Sequence, residues 1–221
     1  IHQQLEATGW QVIDQPFAAQ TPRGTVQFVN LIARRPDQPQ SEKLYFVGSH
    51  YDTKTFDSIR FVGANDGGSS SGALIELGRV LSRHPDLAAR IELIFFDGEE
   101  AYESFTDSDG LYGSRFFAKK ARQASRAQYY DGGIVWDMMG DRDLTITLPL
   151  DSPAKLGEAH DLRVGEGEGR RAGEVRDRRD GGGELLYVDG DGYEGGGGGV
   201  AEGAAFARPR LWRVLHVGRR R

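Results

Sequence analysis

The chain has 221 residues, of which 38% are hydrophobic and 28% are charged, a size and composition suited to one domain with a sizeable core. Its net charge of -5 gives no basic surface of the kind that neutralises a phosphate backbone, so we expect no nucleic-acid partner. Cysteine is absent, which excludes disulfides, thiolate nucleophiles and cysteine-based zinc sites.

The first segment, IHQQLEATGW, predicts a helix that ends near Gly9. It starts without Met and without a charged and apolar leader, and no apolar run in the sequence is long enough to span a membrane. We therefore interpret the chain as a fragment and expect no membrane span. The compartment stays open, and an extracytoplasmic location is compatible with a signal peptide that this fragment has lost.

Strands and helices alternate over the first 156 residues. Leu74, Leu77 and Leu81 recur at helical spacing within SSSGALIELGRVLSRH, and LYGSRFFAKKARQ predicts another helix. Short apolar runs bounded by turn residues predict buried strands, namely VQFVNLIAR, KLYFVGSH, IELIFFD and GGIVWDM. The alternation predicts a layered α/β domain over residues 1–156.

Residues 157–221 have a different character. Residues 165–203 hold 15 of the 31 glycines, and this composition is typical of a low-complexity tail that cannot bury a core. From Gly157 onward the chain contains no Lys, Asn, Gln, Ser, Thr, Ile or Met, although all of these occur earlier. Since GC-rich DNA encodes mainly Gly, Arg, Ala, Val, Asp and Glu when it is translated out of frame, we hypothesise a frameshift. Resequencing that shows one intact frame through this region would refute it.

Acidic and imidazole side chains lie at the ends of the predicted strands. His50 and Asp52 lie at the end of KLYFVGSHYD, Glu99 and Glu100 follow IELIFFD, and Asp137 lies near the end of GGIVWDM. Because open α/β sheets bind ligands at the carboxyl ends of their strands, we expect these groups to meet at one edge. Adjacent carboxylates at a strand end point in different directions, so one can bind a cation while the other transfers a proton.

Asp66 lies in GANDGGSSSG, directly before the helix that contains Leu74. Its position alone is also typical of an Asx turn or a helix cap. Together with the strand-end groups, it predicts a catalytic zinc site with oxygen and imidazole ligands. The same stretch contains GSSSG, which matches G-x-S-x-G and would make Ser70 an esterase nucleophile. That motif requires a strand running directly into the turn, and the predicted strand ends at His50, well upstream.

Four stretches resemble the successive motifs of metallopeptidase family 28: HYDTKTF, RFVGANDGGSSSGALIELGRVL, LIFFDGEEAYESFTDSDGLYGSRFFA and IVWDMMGD. FFDGEEA, a nine-residue insert and LYGSR are most similar to the glutaminyl-peptide cyclotransferase branch. The resemblance covers residues 24–143. It implies a zinc aminopeptidase-like, three-layer αβα fold with a mixed, mostly parallel central sheet, incomplete at the C-terminus.

The resemblance also implies zinc as the cofactor and the N-termini of peptides or proteins as substrates. Asp66 and Glu100 would bind zinc, and Glu99 would be the general acid and base. Asp137 would position the substrate amine and Glu99. Phe105 stands where the cyclases tend to carry a Trp that faces the substrate, so this position departs from the family pattern.

The family's third zinc ligand, a His near the C-terminus, has no clear counterpart. His160 and His216 are available, but neither lies in a family-like context. In the two-zinc aminopeptidases of the family, the residue equivalent to His50 is a ligand and the equivalent of Asp66 bridges the ions. A two-zinc aminopeptidase is therefore the alternative to a one-zinc cyclase, and an inactive truncated or frameshifted fragment is a third hypothesis. For the chain as given, we expect weak zinc binding and little cyclase activity.

Overall fold

The computed structural model describes residues 1–36, 38, 44–124, 130–140 and 142. The predicted boundary at residue 156, the tail, His160 and His216 lie outside these residues. In the described part, no helix has the length and apolar character needed to cross a membrane. The elements, in chain order, are α1 His2–Glu6, β1 Gln11–Thr21, β2 Gly24–Arg34, β3 Leu44–His50, α2 Gly68–Leu81, α3 Pro85–Ala88, β4 Ile91–Phe96, α4 Tyr112–Gln123 and β5 Tyr130–Val135.

The strands form one five-stranded sheet with the order β1-β2-β4-β3-β5. Strand β3 is parallel to both β4 and β5, whereas β2 is antiparallel to β1 and to β4. The predicted mixed sheet is confirmed. Its parallel half consists of β4, β3 and β5, the three strands whose ends carry the predicted site residues.

The two long helices cover opposite faces of the sheet. Leu74 of α2 belongs to a buried cluster with Leu93 and Phe95, whereas Phe117 of α4 packs in a second cluster with Phe96. Successive strand residues point to opposite faces, so an uninterrupted apolar run such as β4 supplies side chains to both clusters. The result is the predicted three-layer αβα arrangement.

Strand β1 was not predicted. It pairs with β2 along its whole length and forms a sheet edge, and along it only Phe17 is buried. Pro16 interrupts the segment, which an edge strand tolerates because one side of its backbone has no ladder partner. Its side chains are exposed or half-buried apart from Phe17, so together with the proline they leave no apolar run that would indicate a strand.

Candidate active site and metal centre

The carboxyl ends of β3, β4 and β5 bring the predicted polar residues to one edge of the sheet. Nε2 of His50 lies 3.2 Å from Oδ1 of Asp66 and 3.1 Å from Oδ1 of Asp137. One potential ligand atom from each of the three residues lies within 4.8 Å of the others. Asp66 reaches this point from the loop before α2, and Asp137 from the loop after β5.

His50 is buried among carboxylates. Burial opposes its charged form, but interactions with Asp137, Asp52 and Asp66 outweigh burial and hold the pKa of His50 well above its usual value. Oδ1 of Asp52 lies 3.5 Å from Nδ1, an electrostatic contact rather than a hydrogen bond, and Nδ1 has no hydrogen-bond partner in the described part. The imidazole can therefore act as a protonated partner of the carboxylates or, once deprotonated, as a metal ligand.

The residues of this edge fit a zinc ion. An imidazole nitrogen and two carboxylate oxygens are ligand types that zinc takes at catalytic sites, and one such atom from each of His50, Asp66 and Asp137 lies within 4.8 Å of the others. Burial and the nearby charge of Asp66 raise the pKa of Glu100 to about 7. Asp66 thus belongs to two candidate ligand sets, one with His50 and Asp137 and one with Glu100.

Glu99 lies on the turn that follows β4. Burial raises its pKa to about 8; the charge of His50 opposes this shift, and the charges of Asp137 and Glu100 add to it. A carboxylate whose pKa lies near neutral pH is suited to accept and return a proton. The position of Glu99 is compatible with the predicted acid and base role, which stays a prediction.

Asp52 holds the turn that carries both glutamates. Its carboxylate accepts the backbone N–H of Glu99 through Oδ1 at 3.0 Å and that of Glu100 through Oδ2 at 3.1 Å. The end of β3 is thereby tied to the turn after β4. The sequence placed Asp52 at the site but gave no sign of these bonds, because their donors are backbone groups far away along the chain.

We expect Asp52→Ala to lower the free energy of unfolding by about 2 kcal/mol, because two partly buried N–H groups lose a charge-assisted partner. Urea unfolding of the metal-free chain measures the change. Asp57→Ala is the matched control: its side chain is 90% exposed and pairs with Arg23 at the surface, so we expect a change within about 0.5 kcal/mol. Equal effects of the two substitutions would contradict the clamp role of Asp52.

Asn65 is a site residue that the sequence analysis missed. Its Oδ1 accepts the hydroxyl of Ser69 at 3.0 Å and the backbone N–H of Gly140 at 2.8 Å. The loop that carries Asp137 is thereby tethered to the loop that carries Asp66. An Asn directly before a candidate ligand was visible in the sequence, but its partner lies 75 residues away.

Ser70 does not have the geometry of a nucleophile. It is fully buried on α2, and its hydroxyl oxygen accepts a hydrogen bond from Ser49 at 2.8 Å. No strand leads directly into the GSSSG turn, since β3 ends at His50. The structure therefore agrees with the rejection of an esterase motif.

Phe105 lies on the insert between β4 and α4, with 43% of its surface exposed. Nζ of Lys54 lies 5.9 Å from the centroid of its ring, and the same ammonium group donates to the carbonyl of Ala101. The ring is available to a ligand at the surface of the insert. Contact with a substrate stays a prediction.

Thermal stability without metal is expected to fall as the pH rises from 5.5 to 8. The folded-state pKa values of Glu99, about 8, and Glu100, about 7, exceed the ordinary glutamate value of 4.5, and the pKa of His50 is raised as well. The folded chain therefore binds more protons than the unfolded chain, and these extra protons stabilise the fold. The stabilisation is complete below pH 4.5 and is lost as the pH rises through the folded-state pKa values.

We expect the unfolding midpoint to drop by roughly 5 °C over this range in a chelator. Added zinc should reverse the trend, since it displaces the protons. In Glu99→Gln the drop should be smaller, because one of the titrating groups is gone. A midpoint that rises with pH in the chelator would contradict these pKa directions.

The fold and the site together define a class: an α/β protein with a mixed sheet and a cluster of carboxylates and an imidazole at the carboxyl ends of its parallel strands. The family model for peptidase family M28 matches residues 30–163, and the chain belongs to this family. The match extends beyond the boundary predicted at residue 156. It confirms the resemblance that the four sequence motifs carried.

The curated relatives include glutaminyl-peptide cyclotransferases. The chain is 35% identical to that of Boiga irregularis over 158 residues, which is 61% of this chain and 42% of the relative. It is 33% identical to that of Bos taurus over 161 residues, which is 62% of this chain and 43% of the relative. The chain spans less than half the length of these relatives.

Solved structures show the same likeness. A glutaminyl cyclase from an Acidobacteriales bacterium is 35% identical, with a TM-score of 0.65 over 73% of this chain and 54% of that one. A Zn-dependent exopeptidase from Parabacteroides distasonis, 21% identical, shares the fold, with a TM-score of 0.64 over 98% of this chain and 72% of that one. The glutaminyl cyclase likeness and the exopeptidase-like fold therefore agree with the prediction.

Proposed function

We propose that the chain carries the active site of a zinc-dependent glutaminyl-peptide cyclotransferase. Such an enzyme closes the N-terminal glutamine of a peptide or protein into pyroglutamate and releases ammonia. The observation that carries the proposal is the turn after β4, where burial and the charges of Asp137 and Glu100 raise the pKa of Glu99 to about 8. The similarity to glutaminyl cyclases supports it.

Four side chains have assigned tasks. As the α-amine attacks the side-chain amide carbon of the substrate, Glu99 accepts a proton from the amine. The new C–N bond closes the lactam ring, the bond to the amide nitrogen breaks, and Glu99 passes the proton to the departing ammonia. Asp137 accepts a hydrogen bond from the amine and orients it. Asp66 and Glu100 would hold a zinc ion, which would supply positive charge to polarise the amide carbonyl.

A two-zinc aminopeptidase is a second candidate, which the group of His50, Asp66 and Asp137 favours. These three residues would hold one ion, and Asp66 would share the second with Glu100. Glu99 would then take the proton of an attacking water rather than that of an amine. Both candidates use Asp66, Glu99, Glu100 and Asp137 and differ in the role of His50. Turnover is one measurement that separates them.

Two substrates, assayed on a version of the chain with one intact frame and added zinc, discriminate between the candidates. We expect ammonia release from a peptide with N-terminal glutamine and no cleavage of leucyl amide. An N-acetylated glutaminyl peptide is the control, since its blocked amine cannot attack. Leucine release without ammonia from the glutaminyl peptide would favour the aminopeptidase. The 221-residue chain, assayed in parallel, is expected to show little activity.

A further inference from the structure

Asp109 is a buried carboxylate in an otherwise exposed loop. Residues 103–108 of the insert are exposed, whereas Asp109 has 4% of its surface exposed. Its two oxygens accept four hydrogen bonds, from the backbone N–H of Tyr102 at 2.8 Å, of Glu103 at 2.9 Å and of Ser104 at 3.2 Å, and from the hydroxyl of Tyr112 at 2.8 Å.

These bonds keep the group ionised. Burial alone would raise the pKa of Asp109, but the backbone N–H groups and the hydroxyl of Tyr112 hold it below its usual value. Charge-assisted bonds of this kind are stronger than bonds between neutral groups. Asp109 therefore fixes the backbone of the insert from inside the loop.

The segment held by Asp109 contains Phe105 and contacts the backbone of Glu99, two residues of the proposed active site. Phe105 directly follows the three residues whose N–H groups Asp109 accepts. Gly110, with a φ of 89°, lies so close that a Cβ there would be 2.6 Å from the Phe105 ring and 3.2 Å from the carbonyl oxygen of Glu99. The N–H of Leu111 donates to that carbonyl at 2.8 Å. The Phe105 ring and the turn that carries Glu99 therefore both lie against Gly110, the residue that follows Asp109.

We propose that Asp109 is a positioning residue that fixes Phe105 relative to Glu99 and so shapes the wall of the pocket that holds the N-terminal glutamine. This inference rests on the proposed cyclase function and adds a specificity role for the insert. When a loop is already ordered before a ligand binds, binding does not lose the conformational entropy of ordering that loop. Loss of Asp109 should therefore weaken ligand binding through Phe105.

A double-mutant cycle on the 221-residue chain in zinc tests this. Calorimetry with pyroglutamyl-alanine, the reaction product of glutaminyl-alanine, gives the Kd for the unsubstituted chain, Asp109→Asn, Phe105→Ala and the double variant. Asn keeps the shape of Asp, but its amide nitrogen cannot accept the N–H groups. Asp107→Asn, an exposed neighbour in the same loop, is the matched control.

We expect each single variant to weaken binding about tenfold, the double variant to be no weaker than Phe105→Ala, and Asp107→Asn to bind normally. Hydrogen exchange should accelerate at the amides of residues 102–104 in Asp109→Asn and stay unchanged in β4. Additive losses, or an unchanged Kd in Asp109→Asn, would overturn the positioning role.

Failure of the proposed function has a different signature. In that case the unsubstituted chain binds no pyroglutamyl-alanine, and no cyclase activity appears in the intact-frame version. The exchange experiment then decides the role of Asp109 in holding the insert. Faster exchange at residues 102–104 supports it, and unchanged exchange overturns it.

Discussion

Replacing Glu99 with Gln is expected to lower turnover of a glutaminyl peptide by about 10² to 10⁴, the loss typical of a missing general acid and base. Gln keeps the size and shape of the side chain but cannot accept the proton of the attacking amine. Since Glu99 is not a predicted ligand, zinc should be retained. Ammonia release and bound zinc are measured on the same preparation of the intact-frame version.

Glu103→Gln is the control for Glu99→Gln, because Glu103 is exposed on the neighbouring insert, and its turnover should be unchanged. Glu100→Gln should instead lose zinc. If Glu99→Gln lost the metal and Glu100→Gln retained it, the roles of the two glutamates would have to be exchanged.

Gly113→Ala is expected to destabilise the chain by about 3 kcal/mol, at the upper end of the cost of overpacking. Gly113 lies in the first turn of α4, and a Cβ there would lie 2.3 Å from both Oδ1 of Asn30 and the carbonyl oxygen of Asp97. Asn30 is fully buried and already donates to the carbonyl of Gly113 at 2.8 Å, so neither neighbour can retreat freely. Urea unfolding gives the magnitude.

The same substitution in α2 provides the comparison. A Cβ at Gly72 would meet nothing within 4 Å, so Gly72→Ala should stabilise the chain by roughly 0.5 to 1 kcal/mol through helix propensity alone. If Gly72→Ala destabilised the chain as much as Gly113→Ala, the cost at Gly113 would not come from the close approach of α4 to the turn after β4.

The interior strands were predictable because each is a short apolar run between turn residues. IELIFFD corresponds to β4 to within one residue, since both faces of that strand are buried. GGIVWDM is displaced by two to three residues from β5, which spans Tyr130–Val135 and whose pairing with β3 shifts register between Leu44 and Tyr45. Such an irregularity depends on the neighbouring strand and leaves no periodic signal.

The site was predictable to the extent that parallel topology dictates it. His50 and Asp137 end adjacent strands, so their meeting at one edge follows from the sheet. The approach of Asp66 depends on the path of residues 51–67, which no pattern specified. The clamp formed by Asp52 and the loop support formed by Asp109 were missed because their partners are backbone N–H groups, which the side-chain sequence does not display.

Zinc stoichiometry in the intact-frame version tests the central claim most directly. Elemental analysis after dialysis should give one zinc per chain, retained in His50→Ala and lost in both Asp66→Asn and Glu100→Gln. That result is expected if Asp66 and Glu100 bind the ion while His50 serves as a charged partner of the carboxylates. Two tightly bound zinc ions, one of which is lost in His50→Ala, would contradict the cyclase site and establish the aminopeptidase arrangement instead.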